Sequence, residues 1–184
     1  MQDKFRLRKK YYLIRKKKYF DVGTNFFNPL IRLILDKYKK KIIYLSGYYP
    51  SSFEVNVTKL FGLIPKDRIK IFLPVLRGNN SMHFYRWQDK EVLQINKYGM
   101  LEPIMKTDQI IPDIMLVPLL SYDHNKNRLG YGKGFYDRYL KKYLKKYNNI
   151  LTIGIAFSFQ KHHKLPVNDN DVKLKYILTE KGIF

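Results

Sequence analysis

The sequence predicts an α/β fold, a mainly parallel sheet covered on both faces, within one domain over residues 1–184. Helical patterns alternate with short continuous apolar runs, as they do where strands are buried from both sides. A chain of 184 residues is long enough for one domain with a sizeable core and short for two. Hydrophobic residues make up 45% of it and aromatic residues 16%, well above what a disordered chain carries. No repeat, low-complexity tract or linker divides it.

The elements follow in order. Residues 4–20 read as a basic amphipathic helix with Phe5, Tyr12, Leu13 and Tyr19 among its apolar positions. Asn28-Pro29 supplies a cap and an N1 proline for a second helix, which carries Leu30, Leu33, Ile34 and Tyr38 on one side. Residues 42–45 form a β-rich run that stops at Ser46-Gly47. A helix is expected over 54–63, a strand over 69–73, and a hairpin or edge excursion over 82–96. A strand over 114–117 ends at Pro118, and a loop over 121–134 leads into a helix at 135–147. Residues 150–157 and 176–178 complete the strands.

Lys and Arg number 36 against 15 Asp and Glu, a formal charge of +21. Such an excess fits a polyanion partner, solvated lysines over the whole surface, or a field that draws in a small polyanionic substrate. The runs Arg15-Lys16-Lys17-Lys18, Lys39-Lys40-Lys41 and Lys141-Lys142 fall at the ends and outer faces of predicted helices, which favours solvated lysines. Nucleic acid is not the expected partner: no RNP or KH pattern occurs, and the lysines are not gathered in one segment. The absence of cysteine excludes disulfides, thiolate metal sites and a cysteine nucleophile. No run of about 18 apolar residues occurs and no secretory h-region opens the chain, so no membrane partner is expected and the location is read as cytoplasmic. No obligate protein partner is indicated.

The stretch Arg128-Leu129-Gly130-Tyr131-Gly132-Lys133-Gly134-Phe135-Tyr136-Asp137-Arg138 carries the chemistry. Alternate glycines let a backbone turn sharply and bring its N–H groups close to a ligand. A helix start behind that turn adds positive potential, so the site suits phosphate. Lys133 and Arg128 add side-chain charge and are the candidate catalytic residues. The pattern is neither a Walker A loop, which needs Ser or Thr after the lysine, nor a dinucleotide fingerprint, whose glycines are spaced differently and follow a strand directly. Asp137, in the first helical turn, either complements the helix dipole or holds a metal on bound phosphates.

Together with Asp123, this stretch resembles the signature of the 5-formyltetrahydrofolate cyclo-ligase family, also called methenyltetrahydrofolate synthetases. Lys4-Phe5-Arg6-Leu7-Arg8, Ser52-Phe53-Glu54, Leu101-Glu102-Pro103, residues 113–118 and residues 165–171 are similar to further family segments in matching order. The resemblance implies a three-layer α/β/α fold around the sheet. It also implies conversion of 5-formyltetrahydrofolate and ATP to 5,10-methenyltetrahydrofolate, ADP and phosphate, with Mg²⁺ as cofactor. By match, Lys4, Arg8 and Arg128, Leu129, Gly130, Tyr131, Gly132, Lys133, Gly134, Phe135 and Tyr136 would contact ATP. Glu54 and the loop residues Tyr131, Gly132, Lys133, Gly134 and Phe135 would contact the folate, with Tyr49 as an aromatic wall. Asp137 and Asp171 would bind the metal.

Some positions depart from the family pattern. Lys126 stands where many members have Gly, and Asn56-Val57 where many have Asp-Thr. Tyr131 stands where some have Arg, which removes a charge from the loop, and Phe135 where some have a second Tyr. Without the resemblance, Glu54 reads as an ordinary acidic residue at a helix start, and Tyr48, Tyr49, Phe84 and Trp87 read as packing residues or as walls for a flat pterin. A basic, aromatic-rich RNA-binding protein and another small ATP-dependent ligase or kinase are the alternative functions. A glutamate tail on the folate, polyglutamylated or not, would give the basic surface a purpose.

Overall fold

In a computed structural model, which describes residues 3–39, 42–78, 81–104, 109–147 and 149–184, the chain begins with helix α1 (Lys4–Lys18). Asp3 caps α1 by accepting the Phe5 amide at 2.9 Å. A 3-10 turn at Thr24–Phe27 leads into α2 (Asn28–Lys37), which starts at the predicted Asn-Pro step. Then come β1 (Ile43–Ser46), the one-turn α3 (Thr58–Phe61), β2 (Ile69–Leu76), β3 (Met82–Arg86), β4 (Leu93–Ile95), β5 (Leu101–Pro103) and β6 (Gln109–Ile110). β7 (Ile114–Pro118), the short pair β8 (Ser121–Tyr122) and β9 (Arg128–Leu129), α4 (Phe135–Leu144), β10 (Leu151–Ile155), β11 (Tyr176–Thr179) and β12 (Gly182–Ile183) complete the order. Lys40 and Lys41 of the basic run lie outside the described residues.

The main sheet runs β12-β11-β10-β7-β1-β2-β3-β6. Its five central strands are parallel, and β12, β3 and β6 join antiparallel at the two edges. Side chains alternate between two cores. On β7, Ile114 and Leu116 face the core that α2 and α3 cover, while Met115 and Val117 face the core that α4 covers. The α/β class is therefore observed as three layers, helices on each face of a mainly parallel sheet.

Several element boundaries differ from expectation. The helix expected over 54–63 shrinks to α3, because Val55 and Val57 are drawn into the core from an irregular segment. β3 does not pair with β4. It pairs with β2, and β4 joins β5 in a separate ribbon, so the excursion lies between them. Buried Glu102 braces that ribbon by accepting the Leu76 amide at 3.0 Å and the Asn96 side-chain amide at 2.9 Å. Phe84 and Trp87 are core residues, packed on Tyr139 and Phe61, and form no wall of a site.

α1 corrects two expectations. Its buried face is Leu7, Tyr11 and Arg15, whereas Phe5, Tyr12, Leu13 and Tyr19 are exposed. Leu7 and Tyr11 pack on Leu120, Leu129 and Leu165, which clamps the helix over the β8–β9 pair. Arg15, placed by its run among solvated lysines, is 1% exposed.

Candidate active site

Strand order decides where a ligand can enter. From β1 the chain moves to β2 on one side and later returns to β7 on the other, so the order in which strands are added reverses between the parallel neighbours β1 and β7. In an open parallel sheet, the loops leaving the carboxyl ends of such strands diverge and open a crevice. The two loops here are the one after β1, which carries Tyr48, Tyr49 and Glu54, and the one after β7, which carries the glycine stretch.

The glycine loop is held by guanidinium groups. Arg8 Nε donates to the Gly130 carbonyl at 2.9 Å, and a Cβ on Gly132 would lie 3.2 Å from the Arg8 guanidinium. Gly132 and Gly134 have φ of +98° and +67°, conformations that favour glycine, and Gly134 is the residue that caps α4. The first amides of α4 therefore face the same bend. Lys133 is exposed, its ammonium 5.5 Å from the centre of the Tyr98 ring. Tyr98, at the turn of the β4–β5 ribbon, also meets Phe135 edge-on at 5.8 Å, so the braced ribbon borders the loop.

A chain of ion pairs continues from the loop. Arg128, 9% exposed, pairs with Asp137 at 2.9 Å, and its guanidinium lies over the Tyr136 ring at 5.6 Å. Asp137 Oδ1 accepts the Val172 amide at 3.2 Å, which sets its carboxylate against the 171–172 peptide. Asp171 pairs with Lys4 of α1 and accepts the Asn168 amide at 2.7 Å. Asp137 thus reaches the peptide that follows Asp171, and each aspartate is balanced by a cation.

Glu54 enters from the other loop. Ser52 and Phe53, with φ of +48° and +64°, turn the backbone left-handed just ahead of it. Non-glycine residues in this region are strained by about 1–3 kcal/mol each, a cost found where a site demands a fixed geometry. The turn delivers the Glu54 carboxylate, 7% exposed, to the Ser51 amide at 2.9 Å and to the Tyr131 hydroxyl, which donates to it. Burial pushes the Glu54 carboxyl up, and the Arg15 charge, the Tyr131 hydroxyl and the Ser51 bonds oppose the rise. The Tyr131 and Tyr48 hydroxyls are driven well up, first by burial and then by the Glu54 charge.

Some predicted residues occupy other roles. Leu129 and Phe135 bury their side chains in the cores, leaving only their backbone groups for a ligand. Tyr49 is half-exposed on the β1 loop, and among the described residues no hydrogen bond or ring contact ties it to the glycine loop. Asp123 is fully buried and organises the turn before the glycines, accepting the Asn125 and Asn127 amides at 3.0 Å and the Leu165 amide at 3.1 Å. Arg15 and Tyr98 are the residues here to which the sequence assigns no site role. Arg15 follows Leu7 and Tyr11 at a four-residue spacing, and that spacing could have revealed its buried position.

Among the described residues, five buried side-chain polar atoms have no hydrogen-bond partner: Arg15 Nε, Arg128 Nε, Arg128 Nη2 and the Tyr136 and Tyr139 hydroxyls. Arg128 Nη2 is close to Asp137 but not aligned as a hydrogen bond. Buried polar atoms are rarely left so, which makes those of Arg128 and Tyr136, beside the glycine loop, candidates to meet a ligand's oxygens.

The family model described as the 5-formyltetrahydrofolate cyclo-ligase family matches residues 31–180. The chain belongs to this family. A Mycoplasma pneumoniae 5-formyltetrahydrofolate cyclo-ligase is 41% identical over 145 residues, covering 70% of this chain and 84% of that one. A Haemophilus influenzae cyclo-ligase is 30% identical over 137 residues, covering 71% and 72%. The solution structure of Aquifex aeolicus 5,10-methenyltetrahydrofolate synthetase superposes with a TM-score of 0.72 at 28% identity, covering 98% of this chain and 91% of that one. The reading as an enzyme of the cyclo-ligase family therefore holds.

Membership gives the departures a physical meaning. Lys126, in place of a common cyclo-ligase glycine, has φ of +62°, the conformation glycine adopts without strain. Asn56 accepts the Thr58 amide at 3.1 Å in the turn just ahead of α3, while Val57 is buried. The charge that Tyr131 removes from the loop returns from α1, because the Arg15 guanidinium donates to the Tyr131 hydroxyl at 2.7 Å. Among the described residues, no helix is long and apolar enough to cross a membrane.

Proposed function

We propose that this cyclo-ligase uses ATP and Mg²⁺ to convert 5-formyltetrahydrofolate to 5,10-methenyltetrahydrofolate, with release of ADP and phosphate. One observation carries the reading. The crevice between β1 and β7 brings Glu54, an acceptor suited to pterin N–H groups, into hydrogen bond with Tyr131 of the glycine loop. An acceptor for the folate and a cradle for phosphate thus share one wall.

A formamide carbon is a weak electrophile and its oxygen a poor leaving group. Attack of the formyl oxygen on the γ-phosphorus, with ADP leaving, turns that oxygen into part of a phosphate. N10 then attacks the activated carbon, the C–N bond forms, the C–O bond breaks, and phosphate departs while N10 loses its proton. Phosphoryl transfer asks mainly for positioning and charge neutralisation. Lys4, Arg8, Arg128, Lys133 and the amides around Gly132 and Gly134 are assigned to the phosphates, with Lys133 leaving Tyr98 to meet the γ-phosphoryl. Glu54 orients the pterin, and Tyr136 offers its unpartnered hydroxyl to the reacting end.

The aspartate pair fits a magnesium ion, which takes one or two carboxylates together with phosphate oxygens. Asp137 and Asp171 would hold it, and it would neutralise charge on the bound phosphates. The basic surface receives the carboxylates of the folate's glutamate tail, and a cytoplasmic setting belongs to the same proposal.

The test is direct. Purified protein is mixed with 5-formyltetrahydrofolate, and the absorbance of methenyltetrahydrofolate is followed with and without ATP and Mg²⁺. Product should form only when both are present. Product without ATP, or no product under any condition, would overturn the reading.

A further inference from the structure

We propose that Arg15 is a positioning residue of the folate site, the charge partner of Glu54 and the clasp that seats the glycine loop, acting through the Tyr131 hydroxyl. The inference rests on the reading of Glu54 as the pterin acceptor.

The placement of Arg15 is hard to explain as packing. It continues the Leu7–Tyr11 face of α1, where a leucine or methionine would fill the space without bringing a charge. At 1% exposure a guanidinium is costly unless it is paired and hydrogen-bonded. Nη1 donates to the Leu119 carbonyl at 3.1 Å, just beyond β7, and Nη2 donates to the Tyr131 hydroxyl at 2.7 Å, while Nε has no partner among the described residues. The guanidinium also lies over the Tyr131 ring at 5.5 Å. Tyr131 is 43% exposed as a residue, yet its hydroxyl is held between two buried charges.

The direction of the relay follows from proton count. A phenol has one proton, and Tyr131 donates it to Glu54 while accepting from Arg15. Arginine remains charged at every pH of interest, so the bond from Arg15 always points toward Tyr131. The groups facing Glu54 are Arg15 from α1, Tyr131 from the glycine loop, Tyr48 and the Ser51 amide from the β1 loop, and Tyr136 from α4, with Arg128 beyond Tyr136. Arg15 is the cation that opposes the effect of burial on Glu54. Without it, the carboxyl would take up a proton at higher pH and lose part of its capacity to accept pterin N–H groups.

The experiment pairs a spectroscopic reading with kinetics. The chain has four glutamates, Glu54, Glu91, Glu102 and Glu180, so carbon-13 NMR of labelled carboxyl groups in the free enzyme resolves few signals. Glu54→Gln assigns the one of interest. In Arg15→Gln, the Glu54 titration should move to higher pH. kcat/KM for 5-formyltetrahydrofolate should fall roughly tenfold at neutral pH and recover in large part as pH is raised. In Arg15→Lys, which keeps a charge but lacks the two-pronged hold, the Glu54 titration should stay in place while KM for the folate rises. An unmoved Glu54 titration in Arg15→Gln, or a loss without recovery at higher pH, would overturn the proposal. Should Arg15→Gln fail to fold, wild-type kinetics in Arg15→Lys would overturn it instead. A Glu54→Gln enzyme with normal KM for the folate would sink the pterin reading alone, since the NMR titration would still report the hold of Arg15 on Glu54.

Discussion

Glu54 shows how one side chain is set by opposing effects. Burial raises its carboxyl above the usual range, and Arg15, Tyr131 and Ser51 pull it back. If, as proposed, the charged carboxylate holds the pterin, affinity is complete at pH values above the shifted titration and is lost as pH falls through it. A kcat/KM profile for the folate should therefore lose activity on the acid side at higher pH than an ordinary glutamate would dictate. Glu54→Gln should flatten that limb and raise KM for the folate. On the phosphate side, Lys133→Ala should lower turnover by roughly 10²-fold, the loss expected for one donor to developing charge, with an unchanged melting temperature because the side chain is exposed. Asp137→Asn differs: it leaves the buried Arg128 without its counterion, so turnover should fall and stability drop by about 1–3 kcal/mol. Activity assays beside thermal melts separate the two cases. Lys126→Gly should do the reverse, stabilising by about 0.5–1 kcal/mol as left-handed strain is relieved, less the added freedom of the unfolded chain. A melt that does not rise would count against strain at this turn.

At the scale of elements, α1 docks on the rest of the chain through Leu7, Tyr11, Ile14 and Arg15 and through the polar contacts of Lys4 with Asp171 and Arg8 with Gly130, the two cations proposed to meet the phosphates. Leu7→Ala removes a core contact worth about 2–4 kcal/mol in a well-packed interior. It should raise KM for ATP more than it lowers global stability, because α2, α3 and α4 keep their own cores. Hydrogen exchange would check this, with faster amide exchange in α1 and unchanged protection in β7 and β10. The β4–β5 ribbon is the second such element, braced on β2 by Glu102 so that Tyr98 stays beside Lys133.

For the whole molecule, a charge of +21 gives a field whose sign matches the proposed ligands, ATP and a carboxylate-tailed folate. Salt at 0.15 M screens exposed charges beyond about 8 Å, so kcat/KM should fall as salt rises while kcat changes little. A longer glutamate tail should steepen that slope, and a slope indifferent to tail length would separate the charge from the substrate.

Periodicity, caps and spacing were enough to show an α/β chain with α2 beginning at Asn28-Pro29, a buried strand at 114–117 and a glycine bend opening α4, since these are local properties of the backbone and its apolar pattern. The left-handed glycines at 132 and 134 could also be read there, because a bend this sharp needs glycine at fixed steps. Tertiary structure alone decided the rest. Arg15 reads as one member of a solvated basic run until α1 docks and carries it over β7, and Glu54 reads as a helix start until a left-handed turn aims it at Tyr131. The β2–β3 pairing and the Tyr98–Lys133 contact likewise depend on which strands become neighbours. In each case a polar group's role was set by a partner distant in sequence, and burial, which gives a charge its chemical weight, comes only from the folded chain.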